Sequence, residues 1–297
     1  MLAAKVKTES LPVKAARPMN AKFQELRAKP LFQQLSPAAL EVAKDIDVTD
    51  QIEALSIAKA SLPDAKSRSL DPQVLSLRQD LTETLLMTFL EGRQVTAELD
   101  DQVAHANELR NVLEGKRDKA VRYNNILNFT SGGALAILAS GLQIGTKVGL
   151  QNTGNEFEVM AGALQAGISA YALRLVKGER FAAQVHPNML ARVFDLPDPH
   201  DDHYPPAVWA YLDDPITPGG LSRRDLLIKS WVKVGRIQTP SPKNMDHIRL
   251  LCGTVAQKKG TSIDLLQDRA AMLVDLRAVV MEESKELLEI MRFIKKM

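Results

Sequence analysis

The sequence is short of most residues that advertise a chemistry. Among 297 residues there is one cysteine, two tryptophans and five histidines, and aromatics make up only 5%. A lone Cys252 closes no intrachain disulfide and assembles no multi-cysteine zinc or iron–sulfur site within one chain. Nothing beside it in sequence favours the thiolate, so it reads as a small buried thiol late in a helix. An excess of charge is missing too. The 38 basic and 36 acidic residues leave a net +2, too near balance for a nucleic-acid partner. No Gly-x-x-x-x-Gly-Lys-Ser/Thr loop occurs, because Gly115-Lys116 lacks both the earlier glycine and the following hydroxyl. Neither a G-x-S-x-G elbow nor a G-x-G-x-x-G fingerprint is present.

Strand signals are absent as well, whereas helix signals recur, and the expected fold class is all-α. With 45% apolar and 25% charged residues the chain can bury a sizeable core and is no disordered polymer. Residues 1–35 read as a flexible basic arm. Up to Lys29 it carries seven basic residues against Glu9 and Glu25, with Pro12 and Pro18 and no apolar run of signal-peptide length. Ser36-Pro37 and Asp71-Pro72 each pair a capping side chain with a proline at the first helical position, so each predicts a helix start. A helical region over 36–122 then contains a long amphipathic helix. Its stripe runs through Val74, Leu77, Leu81, Leu85 and Phe89, resuming at Leu99, Val103, Ala106 and Leu113, with interruptions conceivable at Gly92 or Gly115.

The carboxyl-terminal region, 246–297, has the clearest period. Behind the cap-like Thr261-Ser262-Ile263-Asp264, residues Leu266, Leu273, Val280, Leu287 and Ile294 recur every seven, with Ile263, Ala270 and Met291 in the companion register. Arg277 and Ser284 disfavour a dry dimer seam. A second row, Leu265, Met272, Leu276, Val279 and Ile290, widens the face toward a bundle with the Val74–Leu113 helix. Between them, 176–245 is a proline-rich subdomain that excludes long helices. It allows short ones from Pro206 and from the capping box Ser222-Arg223-Arg224-Asp225 through Lys233. Trp209, Tyr211 and Trp231 are expected to form a small aromatic core there. Arg223-Arg224 reads as a solvated first turn, able to touch acidic lipid headgroups if the chain is membrane-bound.

The feature that stands out is a run of 24 uncharged residues, Tyr123–Thr146, long enough to cross a bilayer as helix. With a turn at Asn152-Thr153-Gly154-Asn155 and a second uncharged run, Val159–Leu173, residues 123–175 read as a glycine-rich helical hairpin. Gly133, Gly141, Gly145 and Gly149 line one face of the first arm, and Gly162, Ala166 and Ala170 line the second. Small residues at this spacing suit close helix packing. Lys116, Arg117, Lys119 and Arg122 precede the hairpin and Arg174, Lys177 and Arg180 follow it. The positive-inside rule would then put both termini in the cytoplasm. The alternative is a soluble cytoplasmic bundle with the hairpin as core, which the amides Asn124, Asn125, Asn128, Gln143 and Gln165 favour.

The strongest catalytic lead is the loop around His200, Asp201, Asp202 and His203, whose donors suit a divalent metal, though without any recognised metal signature. His105 and His247 read as surface or boundary residues. The sequence reading is thus a non-enzymatic, membrane-associated helical scaffold that self-associates or holds a helical protein partner, with possible lipid contact, no nucleic acid and no cofactor. A soluble helical adaptor is the alternative, and a metal-dependent enzyme at His200 and His203 the lesser one.

Overall fold

The computed structural model describes residues 21–62, 71–144, 187–197, 204–215, 220–255 and 261–297. In chain order the helices are α1 (Ala21–Ala28), α2 (Pro37–Asp45), α3 (Thr49–Ala60), α4 (Pro72–Ile144), α5 (Leu190–Val193), α6 (Pro206–Asp213), α7 (Arg223–Lys233), α8 (Met245–Cys252) and α9 (Ile263–Lys296). Among the described residues the one trace of β pairing is an isolated bridge between Pro215 and Ser222, and the protein is all-α.

Helices begin where their capping side chains dictate. Ser36 Oγ accepts from the Ala39 amide at 3.2 Å ahead of Pro37, and Asp71 Oδ1 accepts from Gln73 and Val74 at 2.9 and 3.0 Å. The box at α7 is reciprocal, with the Asp225 amide donating to Ser222 Oγ and the Ser222 amide to Asp225 Oδ2. Gly253 ends α8 in the left-handed region at φ 70°, where a side chain would be strained. Arg269 and Asn188 then take up that helix's last carbonyls. Arg269 donates to Leu250 and Leu251, and the side chain and backbone of Asn188 donate to Leu251 and Cys252 respectively.

Contacts divide the chain into two units, one of Met1–Ala104, His186–Val255 and Asp268–Met297 and the other of His105–Val185 and Ala256–Gln267. The core of the first unit joins Phe23 and Leu26 of α1, Leu40 and Val42 of α2, Ile52 and Leu55 of α3, Val74, Leu81 and Leu85 of α4, and Leu287, Ile290 and Ile294 of α9. The arm expected over 1–35 is therefore ordered from Ala21 onward. Phe23, Leu26, Phe32 and Leu35 bury apolar side chains that a solvated arm would leave in water. Residues 1–20 lie outside the described residues. In the second unit Ala106 and Leu113 of α4 and Leu265 and Leu266 of α9 are buried.

The long helix departs from expectation in three ways. It runs unbroken through Gly92 and Gly115. Its buried face passes through Thr88 rather than Phe89, which is exposed. It also continues to Ile144, so the first arm of the expected hairpin is the end of α4 and not a helix starting at Tyr123. No helix among the described residues is long and apolar enough to cross a membrane. The amides and glycines interspersed along 123–144 dilute its hydropathy. The membrane span expected for that arm is accordingly unsupported. The turn and second arm lie outside the described residues.

Along α9 the seven-residue row Leu266, Leu273, Val280, Leu287 and Ile294 is buried throughout. Arg277 Nε meets Asp100 Oδ1 of α4 at 2.7 Å, so within the first unit this seam belongs to a bundle of the chain's own helices. Met291, expected in the companion register, is exposed.

Candidate functional site

Two consecutive arginines at the start of α7 organise the polar interior of the first unit. The capping box fixes the first turn, and successive helical residues project about 100° apart, so the two guanidinium groups serve different neighbours. Arg223 Nη1 donates to Glu41 Oε2 of α2 at 3.3 Å and to the Tyr211 carbonyl at 2.9 Å, with its guanidinium 3.7 Å from the centre of the Tyr211 ring. Arg224 binds the Val193 carbonyl at 2.6 Å, Asp195 Oδ2 at 2.5 Å and Asp213 Oδ1 at 3.1 Å. Asp195 reaches it from a left-handed backbone position at φ 51°, which aspartate tolerates better than most residues. Both arginines are only 7% exposed, so the solvated turn expected from sequence is overturned. A charge pair inside an apolar layer is held by stacking and hydrogen bonds, not by water.

Around Arg223 gather three carboxylates with unusual surroundings. Glu41 and Glu283 are 3% and 2% exposed, and the Asp45 side chain is equally enclosed. Burial pushes Glu283 up to about 7, Glu91 and Asp45 adding to the rise and Arg223 opposing it. Burial likewise raises Glu41 to about 7 against the pull of Arg223. It raises Asp45 to about 6 against the hydrogen bond from Lys44. Lys44 Nζ lies 2.8 Å from Asp45 Oδ1 and 3.3 Å from Asp214 Oδ2. Burial opposes its charge, but these carboxylates outweigh that and hold its pKa above the ordinary lysine value. Two oxygens of the cluster, Asp45 Oδ2 and Glu283 Oε1, are buried without a hydrogen-bond partner. The other Glu283 oxygen faces α4 where Gly92 has no side chain; a Cβ there would sit 3.2 Å from Oε2. The arrangement can store a proton in the protein interior.

A second buried cation, Arg269, is pulled down to about 10 by burial, with the nearby Cys252 thiol working the other way. Its partners are the α8 carbonyls, which makes it a helix cap. Cys252 itself is buried at the end of α8, as its sequence context suggests.

The residues expected to matter from sequence are dispersed. Gly133 and Gly141 lie within α4, while Gly145, Gly149, Gly162, Ala166 and Ala170 lie outside the described residues. Lys116, Arg117, Lys119 and Arg122 ride on α4, where Arg117 pairs with Asp118 at 3.2 Å; Arg174, Lys177 and Arg180 are outside the described residues. So are His200, Asp201, Asp202 and His203. Among the described residues no group of three His, Cys, Asp or Glu side chains could hold a metal ion. The expected aromatic trio divides into two pairs. Trp231 packs on Phe194 with ring centroids 5.9 Å apart and donates through Nε1 to Asp275, whereas Trp209 meets Tyr204 at 5.4 Å and the Arg192 guanidinium at 4.7 Å. The carboxylate cluster escaped the sequence reading. Its signal was Glu283, three residues after Val280 and four before Leu287, on the face the heptad row defines as inward.

What the fold and the cluster define is an all-α protein with a buried ionic centre. No protein-family model, no curated protein and no solved structure matches the chain.

Proposed function

We propose that the chain is a non-enzymatic helical scaffold that self-associates through its long helices. The observation that carries this reading is on α9. Its inner heptad row is occupied by the chain's own core. One residue further on in each heptad, Val274, Met281 and Leu288 form an outer row that is 44%, 42% and 46% exposed. Apolar residues seven apart on one helix match the repeat of a second helix laid along it. The glycines of α4 support the same reading from a second place. Glycine costs about 1 kcal/mol against alanine inside a helix, and Gly133 and Gly141 are compensated if another helix approaches closely there.

The test is the mass distribution of the full chain in detergent-free buffer by sedimentation velocity across a concentration series. The expected result is reversible association that Met281→Glu weakens at the α9 row and Gly141→Leu weakens at the glycine stripe. A monomer at every concentration, or an assembly that neither substitution disturbs, would overturn the reading. A bilayer-anchored form of the scaffold rests on the uncharged run Tyr123–Thr146 and its basic flanks alone. Retention of the protein in membranes through an alkaline carbonate wash, with release by detergent, would add that anchor. Recovery in the supernatant would remove it.

A further inference from the structure

The buried carboxylate cluster has a geometry that a purely structural salt bridge does not need. A closed ion pair spends each carboxylate oxygen on a donor. Here Glu283 Oε1 and Asp45 Oδ2 have none, although both are out of water. Charged groups approach from every element around Glu283. Glu41, Lys44 and Asp45 come from α2, Glu91 from α4 and Arg223 from α7; Glu282 and Glu286 flank it on α9 itself. Tyr211 of α6 lies under Arg223 with its hydroxyl held protonated by burial. Arg223 is one cation shared among Glu41, Asp45 and Glu283, and Lys44 is committed to Asp45 and Asp214. The acids outnumber the cations, and Gly92 lets the Glu283 carboxyl press against the α4 backbone where no water intervenes to screen it.

We infer that this cluster is a proton-operated clasp: protonated Glu283 seats α9 against α4 and α2, and its ionisation loosens that seam. The groups that meet across the seam mark where it opens. Glu289 of α9 accepts from the backbone and the hydroxyl of Ser36 at 2.7 and 2.9 Å, and Arg277 of α9 binds Asp100 of α4. The sign follows from linkage. A carboxyl whose pKa is raised on folding keeps its proton in the folded chain after the unfolded chain has lost it. Stability therefore falls as pH rises from about 4.5 to about 7 and levels off above. Each such group makes the unfolding constant grow about tenfold per pH unit inside that window.

The experiment is urea unfolding of the full chain between pH 4.5 and 8.5, followed by fluorescence of Trp209 and Trp231, which both belong to the first unit. Wild type is expected to lose stability steeply between pH 5 and 7. Glu283→Gln, which keeps the volume and cannot ionise, is expected to be less steep by about tenfold per pH unit. Hydrogen exchange at pH 8 should be faster in α2 and α9 of wild type than of Glu283→Gln. A variant that unfolds in parallel with wild type at every pH overturns the clasp. So does a wild-type chain whose stability is flat from pH 5 to 7. Should the variant fail to fold, infrared difference spectra of wild type decide: a protonated-carboxyl C=O band present at pH 6 and lost by pH 8.5 supports the clasp, and its absence at pH 6 refutes it.

Discussion

Two glycines in the same helix allow a comparison in which the helix-forming term cancels. At Gly115 an added Cβ would find nothing within 4 Å, and the position is exposed. Gly115→Ala should therefore deliver the ordinary gain of about 1 kcal/mol for alanine over glycine in a helix interior. At Gly92 the same Cβ would lie 3.2 Å from Glu283 Oε2, closer than such contacts normally are. Glu283 is 2% exposed, so its carboxylate has no open side to retreat into. Overpacking of this kind costs about 1–3 kcal/mol, which offsets the helix gain and leaves Gly92→Ala up to about 2 kcal/mol less stable than wild type. The two alanine variants should thus differ by about 1–3 kcal/mol. Tryptophan fluorescence reads the first unit and therefore Gly92→Ala, and far-UV circular dichroism along the same urea titration reads the helix content that Gly115→Ala stabilises. If Gly92→Ala proved as stabilising as Gly115→Ala, then α4 and Glu283 would not be in close contact and the geometry of the cluster would be wrong.

Ser36 serves both as N-cap of α2 and as the anchor of Glu289. Ser36→Ala should cost about 1–2 kcal/mol, and a double-mutant cycle with Glu289→Ala should show coupling between them, measured by urea unfolding. Arg223→Met removes the cation from a buried pair and should cost about 3–5 kcal/mol at pH 8. Because Glu41 is raised to about 7 it is neutral at pH 5, so the loss there should be visibly smaller. Equal losses at the two pH values would contradict a charged Glu41 as the partner.

What could be read from the sequence was whatever is encoded locally. The caps at Ser36, Asp71 and Ser222 and the row from Leu266 to Ile294 involve residues within a few positions of one another, or a period set by one helix. They were placed correctly because no distant partner is needed to define them. Phe89 and Gly92 were misjudged for the opposite reason. A helical wheel treats a glycine as a weakness and a phenylalanine as core. The packing instead turns Phe89 outward and uses the missing side chain of Gly92 to admit a carboxylate that lies 191 positions later in the chain.

The paired arginines show the same limit in electrostatic form. Ser222-Arg223-Arg224-Asp225 states that a helix begins and that its first turn is charged, and a charged first turn is ordinarily wet. The structure buries it because acceptors arrive from α2 at Glu41, from the turns after α5 and α6 at Asp195 and Asp214, and from backbone carbonyls that no sequence pattern announces. Once Arg223 is inside, Glu283 can be inside as well, since its burial is tolerable only near a shared cation or with a proton bound. An arginine that fixes the fold and a carboxyl that makes the fold sensitive to protons are therefore parts of one arrangement. Replacing Arg223 should raise the proton affinity of Glu283 further, so a protonated-carboxyl infrared signal that persists to higher pH in Arg223→Met than in wild type is its expected signature.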